Sequence, residues 1–128
     1  LLSKNDYQEN EIMITLYHNP RCSKSRDALS LLRAQGLEPE VILYLETPPT
    51  AKALKTLLSQ LGVSARDLLR KGEDAYKELG LADTTLSETA LVKAMVEHPK
   101  LIERPIAVKN GKAVIGRPPE NVLQLVNS

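Results

Sequence analysis

Cys22 is the one cysteine of the chain, and it stands in the run Tyr17-His18-Asn19-Pro20-Arg21-Cys22-Ser23-Lys24-Ser25. A lone thiol cannot close an internal disulfide, which points to a reducing compartment. It can act as a nucleophile or redox centre, because the thiolate is the reactive form of sulfur. The run begins where a strand pattern ends, and Cys22 falls in what reads as the first turn of the following helix. Unbonded N–H groups and the helix dipole favour an anion there, and Arg21 and Lys24 add positive charge. The plain alternative is a buried, inert thiol. His18 is placed to orient or electrostatically support the thiolate, or to be a strand-end imidazole satisfied by backbone. Ser25 holds the place of the second cysteine in Cys-x-x-Cys; its hydroxyl can donate to the thiolate or bond its own helix backbone.

Arg70 closes a leucine-rich helical turn, while Arg104 and Arg117 each precede a proline. Guanidinium forks bind tetrahedral oxyanions bidentately and keep their charge at any working pH. Residue type alone does not separate these three from the other arginines. One cysteine and two histidines are too few for a structural zinc site, so no metal is expected. Ala28 stands where a Cys-x5-Arg phosphatase loop would carry its arginine.

The elements that must position these groups follow from pattern. Met13-Ile14-Thr15-Leu16-Tyr17 reads as a strand, and Asn19-Pro20 as an N-cap and first helical residue. Ala28, Leu29, Leu31 and Leu32 give a helical face that stops at Gly36. Val41-Ile42-Leu43-Tyr44-Leu45 reads as a second strand, completing a βαβ unit. A helical middle follows, with starts at Thr50, Ser64 and Ser87 and a further short helix over Glu73 to Leu79. Asn110-Gly111 between two apolar runs predicts a hairpin, and Pro118-Pro119-Glu120 opens a last helix.

The order βαβ, helical insertion, ββα predicts an α/β, thioredoxin-like fold with a mixed four-stranded sheet. One domain is expected over residues 13–128, with 1–12 read as a leader, vector-derived or flexible. The 128 residues are 42% hydrophobic and 26% charged, as in an ordinary globular domain. Seventeen basic against sixteen acidic residues, with four tyrosines and no Phe or Trp, argue against nucleic-acid binding. No stretch reaches the ~20 apolar residues of a membrane span. A cytoplasmic location and no membrane partner are therefore expected.

With those residues in view, the chain resembles the ArsC family of glutaredoxin-coupled arsenate reductases. The resemblance runs from Met13 to Val126 through Tyr17-His18-Asn19-Pro20-Arg21-Cys22, Tyr44-Leu45-Glu46-Thr47-Pro48-Pro49, Leu68-Leu69-Arg70-Lys71, Glu78-Leu79-Gly80-Leu81-Ala82, His98-Pro99, Arg104-Pro105-Ile106 and Arg117-Pro118. Cys22-Ser23-Lys24-Ser25-Arg26 and Ile115-Gly116-Arg117-Pro118-Pro119-Glu120 resemble a housekeeping ArsC-like subgroup. The resemblance implies Cys22 as nucleophile, Arg70, Arg104 and Arg117 as oxyanion ligands, and His18, Asn19 and Ser25 as supporting residues. It implies arsenate or a similar oxyanion as substrate and glutathione as co-substrate. Glutaredoxin is implied as a transient partner, with no bound cofactor. A thioredoxin-like fold also implies a cis Arg104-Pro105 bond.

Two rivals are an Spx-like regulator that binds RNA polymerase and a general monothiol glutaredoxin-like reductase. Spx-like chains carry Cys-x-x-Cys and lack the terminal Arg-Pro, whereas this chain has Ser25 and Arg117. Three arginines exceed what glutathione binding alone requires.

Overall fold

Ile14 and Leu16 alternate with less buried neighbours, the period-two pattern of a strand with one face in a core. Leu16 is the middle residue of β1 (Thr15–Tyr17) and Ile14 directly precedes it, in a computed structural model that describes residues 13–126. Helix α1 (Ser23–Ala34) follows, then β2 (Glu40–Ile42). After the helical segment come β3 (Ile106–Lys109) and β4 (Lys112–Ile115). The sheet order is β2-β1-β3-β4, with β1 and β2 parallel and the other two pairings antiparallel. This is the expected mixed four-stranded sheet. A 3-10 turn (Pro119–Val122) and a short α-helix (Leu123–Val126) end the described chain.

The second strand is shorter than Val41 to Leu45. His18 N–H donates to the Ile42 carbonyl at 2.9 Å, and β1 then gives way to a turn. Among the described residues β2 is an edge strand that pairs only with β1, so beyond Ile42 it has no ladder partner among them and turns.

The chain divides into two compact units, one holding the sheet and the other Tyr44–Glu103. In the sheet unit, Ile14, Leu16 and Ala107 pack with Ala28, Leu32, Val122 and Leu125. Lys109, buried on β3, donates from Nζ to the Leu125 carbonyl at 3.2 Å, a cation at the end of the last helix.

The helical unit contains α2 (Ala51–Leu61), α3 (Ala65–Leu68), α4 (Asp74–Glu78), α5 (Glu88–Glu97) and a 3-10 turn (Pro99–Leu101). Its starts are those expected. Thr50 Oγ1 accepts the Ala53 N–H, Ser87 Oγ accepts the Ala90 N–H, and Ser64 with Asp67 forms a capping box. The reading of residues 1–12 as a leader falls outside the described residues.

Candidate active site

The loop that carries Cys22 is closed by its own asparagine. Asn19 Oδ1 accepts the Arg21 N–H at 3.0 Å, and the Asn19 carbonyl accepts the Cys22 N–H, also at 3.0 Å. Arg26 Nη1 reaches back to the Pro20 carbonyl at 3.0 Å. The Asn19 carboxamide is thus engaged in an Asx turn and does not cap the helix. The helix begins at Ser23, with Cys22 as the N-cap residue at φ −96° and ψ 123°. This corrects the expectation that Cys22 lies within the first turn. The cysteine is partly exposed and its side chain makes no capping hydrogen bond. The first-turn N–H groups, which have no acceptor within the helix, lie directly after it.

Beneath the loop is a buried polar pair. Ser25 Oγ lies 2.6 Å from His18 Nδ1 and accepts the Asn19 N–H at 3.0 Å. Ser25 is fully buried and His18 is 5% exposed. The serine hydroxyl therefore ties the strand end, the turn and the first helical turn together. Burial holds the His18 pKa below the ordinary 6.5, and the charges of Arg33 and Arg26 act in the same direction. At neutral pH the imidazole is uncharged and acts as a hydrogen-bonding group.

The sheet register gathers two of the three arginines near this loop. Ile106 of β3 stands opposite Tyr17 of β1, and Ile115 of β4 stands opposite Ile106. The residues just before β3 and just after β4 therefore emerge at the end of the sheet where the Cys22 loop begins. Those residues are Arg104 and Arg117. Arg117 Nη1 donates to the Arg104 carbonyl at 3.3 Å. The Arg104-Pro105 bond is cis, as expected, and so is Arg117-Pro118.

Arg70 belongs to the helical unit. Its backbone N–H donates to the Leu101 carbonyl at 2.8 Å, beside an isolated bridge between Leu69 and Ile102. Its guanidinium pairs with Glu73 at 2.8 Å and Glu103 at 3.4 Å, all three about three-quarters buried. Sequence reasoning did not find these carboxylate partners: Glu103 meets Arg70 only through the tertiary bridge, while Glu73, three residues on, was a local signal passed over. It also passed over Asn121, whose Nδ2 donates to the Ile115 and Arg117 carbonyls at 3.3 and 3.2 Å. The available signal was its position directly after the Ile-Gly-Arg-Pro-Pro-Glu segment.

Among the described residues no group of three or more His, Cys, Asp and Glu converges to hold a metal ion. No helix among them is long and apolar enough to cross a membrane.

The model of the ArsC family matches residues 17–125. The uncharacterized protein YfgD of Escherichia coli K12 is 64% identical over 114 residues, covering 88% of this chain and 96% of that protein. An arsenate reductase of Neisseria meningitidis serogroup B is 53% identical over 110 residues, covering 85% of this chain and 94% of its own. The solved structure of an arsenate reductase from Vibrio cholerae superposes with a TM-score of 0.88 at 56% identity, covering 91% of this chain and 99% of the other.

Proposed function

This chain belongs to the ArsC family, and on that premise we propose that it reduces arsenate to arsenite through an arsenic adduct of Cys22. The observation that carries the reading is that strand register brings Arg104 and Arg117 to the end of the sheet at which the loop of a partly exposed N-cap thiol begins. The thiol supplies the nucleophile. The guanidiniums and the first-turn N–H groups supply positive charge for a tetrahedral oxyanion.

The chemistry proceeds by two condensations and one reduction. The Cys22 thiolate attacks As(V), an arsenate oxygen leaves as water, and a sulfur–arsenic bond forms. Glutathione then displaces a second oxygen as water and joins arsenic through its own sulfur. A glutaredoxin thiolate takes the glutathione sulfur into a mixed disulfide, and the electron pair left behind converts As(V) to As(III). Hydrolysis of the remaining sulfur–arsenic bond returns Cys22 and releases arsenite. Beyond the Cys22 nucleophile, the chain's contribution is electrostatic, holding and neutralising the oxyanion as it loses water. His18, Ser25 and Asn19 shape the loop that presents the sulfur. No resident metal or cofactor takes part, and the dependence on reduced glutathione suits the cytoplasm.

The test is purified protein with arsenate, glutathione, glutaredoxin and glutathione reductase, followed by NADPH oxidation. Arsenate-dependent turnover is expected, and its absence would overturn the reading. Arg104→Ala or Arg117→Ala should lower the rate by ~10²–10³ while leaving the fold intact. For Arg70, whose guanidinium already has two carboxylate partners, Arg70→Ala in the same assay tests a share in oxyanion binding.

A further inference from the structure

We infer that Asn121 is a positioning residue for the oxyanion arginines, acting on the Ile115-Gly116-Arg117 segment with Gly116 as its necessary counterpart. The inference rests on the oxyanion role proposed above for Arg104 and Arg117. One carboxamide donates to the two carbonyls that flank Gly116, those of Ile115 at 3.3 Å and Arg117 at 3.2 Å. Asn121 is itself anchored, its backbone N–H donating to the Pro118 carbonyl at 3.0 Å. It sits in the 3-10 turn that packs against α1, the helix Cys22 caps.

The opposite side of the segment is held by Gly116. Its N–H donates to the Pro105 carbonyl at 2.8 Å. A Cβ at this position would stand 2.8 Å from Pro105 Cγ and 3.0 Å from Val122 Cγ1. Only glycine permits that approach without displacing its neighbours. The crossing from β4 to the 3-10 turn is therefore pinned to Arg104-Pro105 on one side and to Asn121 on the other. Arg117 leaves from this pinned segment, and its guanidinium reaches the Arg104 carbonyl. Asn121 has no need to touch the substrate, since fixing the Arg117 carbonyl fixes the backbone from which the guanidinium reaches.

The experiment measures how much arsenate protects Cys22 from alkylation by iodoacetamide in the full-length protein. Wild type, Asn121→Ala, Gly116→Ala, Arg117→Ala and the Asn121→Ala/Arg117→Ala double variant are compared, with circular dichroism to confirm folding. In Asn121→Ala the protecting concentration should rise by about tenfold or more, since small misplacements of a binding group are costly. The alkylation rate without arsenate should stay at the wild-type value, because the thiol loop is untouched. Adding Asn121→Ala to Arg117→Ala should shift protection no further, the signature of two residues acting through one contact. A folded Asn121→Ala protein with wild-type protection overturns the assignment, as does a full shift that persists in the Arg117→Ala background. Should Gly116→Ala not fold, Asn121→Ala alone decides. If arsenate gives wild-type Cys22 no protection at all, the oxyanion reading itself fails, and the positioning role with it.

Discussion

His18 and Ser25 show how two buried polar groups can shape the loop that carries Cys22. The imidazole resists protonation because of burial first and the nearby Arg33 and Arg26 charges second. In the unfolded chain it takes up a proton near 6.5, and in the folded chain only at lower pH. The unfolded state therefore binds more protons between the two values, so stability is present above 6.5 and is lost as the pH falls below it. Melting temperatures at about pH 8 and about pH 5 should show a larger acid loss for wild type than for His18→Gln; equal losses would contradict a neutral buried imidazole. Ser25→Ala leaves the His18 ring nitrogen and the Asn19 N–H without their shared partner. The expected cost is about 1–3 kcal/mol in urea unfolding. A Ser25→Ala protein as stable as wild type would show that the hydroxyl does not bind the loop together.

Among the elements, those with local causes were legible and those with tertiary causes were not. Thr50, Ser64 and Ser87 cap their helices as residue type predicts, and Gly62, at φ 71°, stops α2. The hairpin turn at Asn110-Gly111 has φ of 51° and 78°, which these two residue types tolerate. The start of α1 was misread by pattern, because Asn19 had two uses and the Asx turn took it. The end of β2 depends on how long its neighbour is, which no local signal records. Lys109 and Lys112 pair at the hairpin end of the sheet, opposite the end from which Arg104 and Arg117 emerge. Gly111→Ala should therefore cost ~1–2 kcal/mol of stability through left-handed strain. Reductase activity per folded molecule should be unchanged. A fall in kcat greater than the loss of folded protein would mean that the turn bears on the site.

At the scale of the whole molecule, the count of cysteines decides the electron supply. With Cys22 as the one thiol, no second thiol of this chain can resolve an adduct, so the reducing equivalents of the proposed reaction come from outside. Arsenate reduction should require glutathione with glutaredoxin, and thioredoxin alone should support little. Full activity with thioredoxin in the absence of glutathione would sink this route while leaving the fold untouched. The placement of Cys22 at the start of α1 was legible from the sequence because a lone cysteine before a helical pattern is a local signal. The two neighbouring arginines were separable from the rest only by resemblance, since strand register, not local sequence, brings residues 104 and 117 to one end of the sheet.

The central claim is that arsenate is reduced while bound to the Cys22 sulfur, and one substitution tests it most directly. Cys22 is an N-cap residue, and serine is among the best N-caps, so Cys22→Ser should keep or slightly raise stability. Arsenite formed in the presence of glutathione and glutaredoxin should then fall to the uncatalysed rate, with the melting temperature at or above that of wild type. A folded Cys22→Ser protein that still produced arsenite at the wild-type rate would contradict the account.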